Sequence, residues 1–417
     1  MSLQRVTTNL INSNMQFHQR NREVDMGRLN NQIGGQSRII NPRDDPIGAA
    51  HATRYASYNT RLERFSENIG FAQSNNQITE GYLMQAVDIL QRVRELGVQG
   101  ANGTFTTEDR RYMAGEVNQL LEQLVQVANG RNGDGTMVFA GSKVRSEPFR
   151  VLQGRVPGSG ELLTTEVSYV GDIGQRETEI ADGAYVPLNL PGNAAFWAEN
   201  QTVISDVDAR NYQADADGQV YINGVEVEIK RGDTTPAIIS RINGAGAGVR
   251  ARLDPVKNSI ALETSSPQQI WLEESPGTTV LQDLGLVTPA GGEPPQNIPR
   301  DATVFGGSMF DVVIRMRDAL YRGDVLDVGG QAIGGIDSAL GNVLSEVGKI
   351  GAINHRLDLA GQRTDTELLE MSGRLSAETD PNLPRAITEL RMLEYAHNAT
   401  LGATARVIQP TLLNFLR

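Results

Sequence analysis

The chain contains no cysteine. That excludes a disulfide framework, a thiolate metal site and a cysteine nucleophile. It is compatible with any compartment, and it suits a protein that stays unfolded during export. Aromatic residues make up only 5% of the 417 positions, with two Trp. This is thin for the core of a compact enzyme and fits long helical packing instead. No run approaches the roughly 18 apolar residues that span a bilayer, so no membrane partner is expected. Met1 to Arg22 carries Asn, Gln and Arg throughout and has no apolar centre. It does not read as a cleavable signal peptide, so any export is expected to use a route without one. Positive charge is also in deficit, with 38 Lys and Arg against 50 Asp and Glu and a net charge of -12. Nucleic acid, which is bound through basic patches, is therefore not an expected partner.

Proline is absent over two long stretches, between Pro46 and Pro148 and between Pro299 and Pro381, and gathers with glycine in between. The shift marks helical outer thirds around a strand-and-turn middle. In the first third, Leu3, Leu10, Phe17 and Val24 recur every seven residues, Val6 joins the stripe, and Leu29 and Ile33 continue it after a shift. Gly34-Gly35 stops this helix. Asp45 caps the next one, and Pro46 takes its first position, where no amide donor is missed.

The second helix carries Leu62, Phe65, Ile69, Ala72, Asn76, Thr79, Leu83, Ala86, Leu90 and Val93 in steps of three and four. That is a coiled-coil stripe, and from Pro46 to Leu96 it predicts a rod of roughly 75 Å. Asn76 and Thr79 are polar places in the stripe, which cost stability and can fix register. Thr106 with Asp109 predicts a capping box for a third helix with Val117, Leu120, Leu121, Leu124 and Val127 on one face. The last third mirrors the first. Ile336, Leu340, Val343, Val347, Ile350, Asn354, Leu357, Gly361, Thr364, Leu368, Met371 and Leu375 repeat the three-four spacing. Asp380-Pro381 and Pro384 break it. A final helix is expected from about Arg385 to Gln409, its apolar side including Ile387, Leu390, Leu393, Leu401, Val407 and Ile408.

The expected fold is mainly α with an inserted β domain. Both chain ends form a long antiparallel coiled-coil bundle, and the middle is an α+β outer domain. The expected divisions are 1–45, an N-terminal polymerisation helix; 46–150, the N-terminal part of the bundle; 151–300, the β-rich insert; 301–380, the C-terminal part of the bundle; and 381–417, a C-terminal polymerisation helix. Within the insert, Gln219 to Ile222, Asn223-Gly224 and Val225 to Ile229 predict a hairpin. Pro236 to Ile242 reads as a short helix, and Val249 to Leu253 and Ile260 to Leu262 read as strands. The terminal helices are short enough to be marginal alone in water. Their apolar residues are the expected polymerisation sites: Leu3, Val6, Leu10, Phe17 and Val24 at one end, Leu401, Ile408, Leu412, Leu413 and Phe415 at the other. The plainer reading of any heptad stripe is an intramolecular core, and for the two long helices that reading holds either way.

Chemistry is sparse. His18, His51, His355 and His397 show no metal-ligand spacing and there is no H-E-x-x-H. Gly244, Gly246 and Gly248 lack the dinucleotide pattern and its βαβ setting, and Gly141-Ser142-Lys143 lacks the rest of a phosphate loop. Asp44-Asp45 and Glu273-Glu274 are adjacent acids better suited to caps or solvent than to general acid and base. Asp215 to Gly218 lacks the distal Glu of a calcium loop. No catalytic, cofactor or metal site is expected. Residues 154–299 contain neither His nor Cys, so an enzyme inserted there could use carboxylates alone.

Gly35-Gln36-Ser37-Arg38-Ile39-Ile40-Asn41, followed by Asp44-Asp45-Pro46, resembles the bacterial flagellin superfamily. So do Leu90 to Leu96, Gln99 to Thr104, and the end of the chain from Gln409 to Arg417. Gly34-Gly35 stands where Ser-Gly is commoner, and either ends a helix. The segment Met137 to Lys143 with Pro148-Phe149 is similar to members found at the hook–filament junction and differs from most filament flagellins. The resemblance implies a flagellar, extracellular subunit exported unfolded without a cleaved signal, or a periplasmic one where flagella are kept there. It implies copies of itself, hook-associated protein 1 on the hook side, flagellin on the filament side, and an export chaperone and export apparatus as partners. It also implies no enzymatic activity. Filament flagellin is the alternative within the same family.

Overall fold

The computed structural model describes residues 3–288 and 292–408, and the side chains of 13–288 and 292–403. The chain forms two compact units, Met1–Glu67 with Gly361–Arg417, and Asn68–Ala360. Its first third is three helices: α1 (Leu3–Gly34), α2 (Pro46–Gly100) and α3 (Thr107–Ala128). Every residue of the predicted α2 stripe, from Leu62 to Val93, is buried. The capping box of α3 is formed, with Thr106 Oγ1 accepting from the Asp109 amide and Asp109 Oδ2 accepting from the Thr106 amide.

The middle begins with two hairpins, β1 (Phe149–Arg155) with β2 (Leu162–Tyr169), and β3 (Glu177–Ala181) with β4 (Ala184–Pro187). A single turn, α4 (Gly192–Ala195), follows, then β5 (Thr202–Ile204). The expected hairpin is β6 (Gly218–Ile222) and β7 (Val225–Ile229), with Ile222 opposite Val225. Asn223 and Gly224 take φ of 49° and 79°, the left-handed pair that a two-residue turn between right-twisted strands requires. Next come α5 (Thr235–Gly244), β8 (Val249–Leu253), β9 (Ile260–Thr264), β10 (Leu272–Glu274), the short α6 (Val280–Asp283) and β11 (Thr303–Phe305). Gly246 and Gly248 form the turn from α5 into β8. The strands make two antiparallel sheets of order β10-β6-β7 and β11-β5-β9-β8.

The last third holds α7 (Met309–Arg322), the short α8 (Val325–Asp327), a π-helical turn at Val328–Ala332, α9 (Ile333–Thr379) and α10 (Leu383–Ile408). The sequence reading passed over α7, although Ser308 and Asp311 form the same capping box as Thr106 and Asp109. Gly323, with φ of 71°, ends α7 in the left-handed conformation that glycine adopts without strain.

Two polar layers set how α2 and α9 pair. In the unit Asn68–Ala360, Gln73 donates to Asp358 at 2.7 Å, Asn76 Nδ2 to Asn354 Oδ1 at 2.8 Å, and Arg94 to Asp337 at 2.6 Å. Residue numbers rise on one helix as they fall on the other, so the pairing is antiparallel. In the other unit, Tyr58 meets Glu367 at 3.2 Å and Asn59 meets Ser372 at 3.5 Å, in the same sense.

Among the described residues the unit Asn68–Ala360 holds a small hydrophobic core of Ile69, Ala72, Ile180, Val186 and Leu357 and two large ones. One runs from Leu83 through α3 and α7 to Ile350 and takes in Phe149, Val167, Tyr169 and Phe196. The other runs from Val203 to Val287 and is built by the two sheets, α5 and α6. The β1–β2 hairpin, within the expected insert, therefore packs on the helices. The few aromatic rings are concentrated there. Phe139 meets Phe196 edge-on at 4.9 Å, Phe149 lies 5.3 Å from Phe196 and 5.1 Å from Phe310, and Phe196 stacks on Phe310 at 5.8 Å. Such pairs add about 0.5–1.5 kcal/mol each beyond area burial.

Arg317 of α7 is fully buried. Its Nη1 donates to Asn118 Oδ1 of α3 at 3.0 Å and to the Thr164 carbonyl of β2 at 2.7 Å, and its Nη2 lies 2.7 Å from Asp318 Oδ1. The guanidinium thus ties three elements with fixed fork geometry, which a flexible ammonium reproduces poorly.

Two outcomes are expected. Arg317→Ala should lower unfolding stability by about 3 kcal/mol, since it leaves the partners of a buried charge unmatched; a urea midpoint unchanged from the parent would refute this. Replacing Asn76 and Asn354 together by Leu should raise the melting temperature yet loosen register. In this cysteine-free chain, Gln73→Cys with Asp358→Cys should then be bridged by a short bis-maleimide less completely than in the Asn background. Equal bridging would remove the register role.

Candidate assembly surface

The two terminal helices lie side by side. The Arg22 guanidinium of α1 donates to the Ala396 carbonyl of α10 at 3.0 Å and to Thr400 Oγ1. Arg38, just past α1, meets Glu378 and Thr379, just before α10. The pair is therefore antiparallel. The side of α1 with reduced exposure is Met15, Gln19, Arg22, Met26, Leu29 and Ile33, and on α10 it is Ala386, Leu390, Leu393, Ala396 and Thr400. Long stems of Met, Gln and Arg cover apolar surface as well as a branched residue does.

This corrects the apolar side expected for α10: Ile387 and Leu401 are 41% and 42% exposed. On α1, Phe17 and Val24 are 61% and 69% exposed. Phe17 and Val24 of the heptad stripe thus lie on a face that the pairing of α1 with α10 leaves uncovered. Leu3, Val6 and Leu10 sit on α1 and Ile408 ends α10, with side chains outside the described set. Leu412, Leu413 and Phe415 lie outside the described residues. On α10, Met392 and Tyr395 are exposed at 68% and 81% and join the open side; the sequence reading missed both.

A polar clasp closes the turn between α1 and α2. Arg38 Nη1 donates to Asp45 Oδ2 at 2.9 Å, Nη2 to Glu378 Oε2 at 3.3 Å, and Nε to the Glu378 carbonyl at 2.9 Å. Its backbone amide donates to the Thr379 carbonyl at 2.6 Å. His51 Nδ1 lies 3.4 Å from Glu378 Oε1. Asp45 Oδ1 accepts from the Gly48 amide at 2.9 Å, capping α2 as expected. The Gly48 amide first, and the Arg38 guanidinium next, hold the Asp45 carboxyl below the usual carboxylate range. A β-carbon at Gly48 would collide with the Asp45 carboxylate and press on Arg38. The Gln36–Pro46 segment is therefore a joint that fastens the root of α1 to the end of α9.

Among the described residues, no three or more His, Asp or Glu side chains are placed to hold a metal, and no helix is long and apolar enough to cross a membrane.

The clasp should fail in a defined direction. Arg38→Ala and Gly48→Ala should each increase proteolytic nicking within residues 36–44 while leaving far-UV circular dichroism near that of the parent. A carboxyl held low stabilises the fold above its unfolded value, about 3.9, and loses that contribution as pH falls through its folded value. Protection of the Gly48 amide, corrected for intrinsic exchange, should drop over that acid range. Protection that is flat with pH, or nicking unchanged in both variants, would rule the clasp out.

Known proteins are similar to parts of this chain. Residues 6–144 match the bacterial flagellin N-terminal helical region, and residues 213–266, which hold β6, β7, α5, β8 and β9, match the flagellin hook IN motif. The flagellar hook-associated protein 3 of Escherichia coli (strain K12) is 29% identical over 147 residues, 35% of this chain and 46% of that protein. The chain thus spans about half the length of the hook-associated relatives it matches. Flagellin B of Vibrio anguillarum is 22% identical over 405 residues, 97% of this chain and 96% of that one. The crystal structure of hook-associated protein 3 from Legionella pneumophila is similar at a TM-score of 0.46 and 20% identity, covering 78% of this chain and 98% of that chain. This chain thus carries the N-terminal helical region and the hook IN motif of bacterial flagellins.

Proposed function

We propose that this chain is a non-catalytic structural subunit of the bacterial flagellum, placed where hook meets filament and joined to its neighbours through its two ends. The observation that carries the junction reading is the 29% identity to the hook-associated protein 3 of Escherichia coli. The Met137–Lys143 segment supports it, and the structure gives that segment a physical reason. Phe139 and Ala140 are fully buried, Phe139 lies among the aromatic rings, and Gly141 takes a φ of 71° where a side chain would strike Asp172.

In this reading the open stripe of α1 and the end of the chain form one cohesive surface. Leu3, Val6, Leu10, Phe17 and Val24 supply one part, and Leu401, Ile408, Leu412, Leu413 and Phe415 the other. Burying each large side chain against a neighbour contributes roughly 1.5–3 kcal/mol, enough to couple the folding of marginal helices to docking. The neighbours are copies of itself, hook-associated protein 1 on the hook side and flagellin on the filament side. An export chaperone holds the C-terminal segment before assembly, and the chain reaches the cell exterior, or the periplasm in organisms that keep flagella there, without a cleaved signal.

A second reading, filament flagellin, is favoured by flagellin B of Vibrio anguillarum, which aligns over 97% of this chain, and by flagellin FlaB1 of Treponema pallidum, 33% identical over 150 residues.

Two experiments separate these. Leu10→Asp with Leu412→Asp should abolish incorporation into flagella while the purified chain keeps the helical content and melting of its long helices; normal incorporation would sink the cohesive-end mechanism. An antibody against residues 154–299 should mark one narrow band at the hook–filament boundary in electron micrographs of intact flagella. Label along the whole filament would assign the chain to the filament.

A further inference from the structure

The sequence holds five Asn-Gly pairs, beginning at Asn102, Asn129, Asn132, Asn223 and Asn243. Such a pair is prone to close into an imide, because glycine puts no β-carbon beside the attacking nitrogen. Closure also requires the Asn carboxamide to turn onto the amide nitrogen of the next residue. A fold that holds the carboxamide in place suppresses it.

Four of the five are held at both ends. Asn129 Nδ2 donates to the Phe149 carbonyl and its Oδ1 accepts from the Phe149 amide, each at 2.9 Å. Asn223 bridges the Ala247 carbonyl and the Trp271 amide at 3.0 and 2.9 Å. Asn243 spans the carbonyl and the amide of Ala251 at 3.0 and 2.7 Å. Asn132 donates to Asn75 Oδ1 at 2.9 Å. Its Oδ1 accepts from the Gly133 amide at 2.7 Å, so the nitrogen that would attack keeps its proton engaged.

Asn102 differs. It is exposed in the turn between α2 and α3. Among the described residues its Nδ2 has no acceptor, and neither has the Gly103 amide. Its Oδ1 accepts from the amide and the hydroxyl of Thr104, both at 3.1 Å. Two donors on this oxygen stabilise the negative charge that develops there when Cγ is attacked. The neighbourhood also suits an anionic product. Arg110 is 7% exposed and donates to the Gly100 carbonyl at 2.9 Å and to the Asn102 carbonyl at 3.2 Å, with no carboxylate bonded to it among the described residues. A buried guanidinium without a counter-ion gains from one.

We propose that Asn102-Gly103 is a self-modifying site, which the folded chain converts to an aspartyl or isoaspartyl linkage while the other four pairs stay intact. The Gly103 amide nitrogen, deprotonated by solvent hydroxide, bonds to Asn102 Cγ. The Cγ–Nδ2 bond breaks and ammonia leaves. Water then opens the five-membered imide at either carbonyl, giving aspartate or isoaspartate. One water is consumed, one ammonia is released and nothing is oxidised. In the isoaspartyl product the former Asn102 main-chain carbonyl, to which Arg110 donates, becomes the free carboxylate. The site does not rest on the flagellar reading.

The test incubates the purified full chain at mildly alkaline pH, folded and in urea, and follows each Asn-Gly peptide by mass spectrometry. In urea all five pairs should convert at similar rates. In the folded chain Asn102 should convert at least about tenfold faster than any of the other four. A β-carbon at Gly103 would meet nothing within 4 Å, so Gly103→Ala should slow conversion severalfold and keep the parent's melting transition. Thr104→Val, which removes one donor to Oδ1, should slow it as well. The converted chain, separated by its added negative charge, should melt no lower than the parent, and a lower melting temperature would overturn the accommodation by Arg110. Suppression of Asn102 by folding to the level of Asn129, faster conversion at Asn132, or parent rates in both variants would each overturn the proposal.

Discussion

The hydrogen bond between Asn76 and Asn354, 2.8 Å long, is set in two otherwise apolar stripes of α2 and α9. Leu, Ile, Val and Ala along such stripes are nearly interchangeable as partners, so apolar contact alone tolerates a slip by one heptad. Two facing amides do not tolerate it. A slip strands both among aliphatic side chains, and each unmatched polar group costs about 1–3 kcal/mol. With that pair in register, Gln73 falls opposite Asp358 and Arg94 opposite Asp337. The span between residues 76 and 354 then has its ends fixed, and every element in that span has to fold within this boundary.

The middle is attached by few but dense contacts. The scarce aromatic rings gather where the segment from Phe139 to Phe196 meets Phe310 of α7. A buried guanidinium, Arg317, binds α3 and β2 to α7. The rings supply non-directional cohesion, while the guanidinium supplies direction. The sheet region from Val203 to Val287 has a core of its own beside this attachment.

Much of this was legible in the residues, for physical reasons that differ from element to element. The long helices announce themselves because three-four spacing sustained over many turns has no competing explanation. The β6–β7 turn does so because Asn223-Gly224 is among the few pairs that accept two left-handed residues in succession. The α7 helix was legible on the same terms and was passed over: its apolar and charged residues are well separated around the helix, and Ser308 with Asp311 marks its start. The attachment of β1 and β2 to the helices was not legible, since it depends on Phe149, Val167 and Tyr169 finding α3 and α7 far away in the sequence. The terminal helices are the instructive case. A heptad of apolar residues shows which face is greasy and is silent on whether that face is covered. In the structure Met15, Arg22 and Met26 turn toward α10, while Phe17 and Val24 stay open.

The clasp at Arg38 joins residues 340 positions apart in the chain. Closing a loop of that length in one step carries a large entropic barrier, whereas hairpins such as β6–β7 close within a few residues. The clasp therefore removes the freedom of a loop hundreds of residues long, whereas the β6–β7 turn removes that of a few.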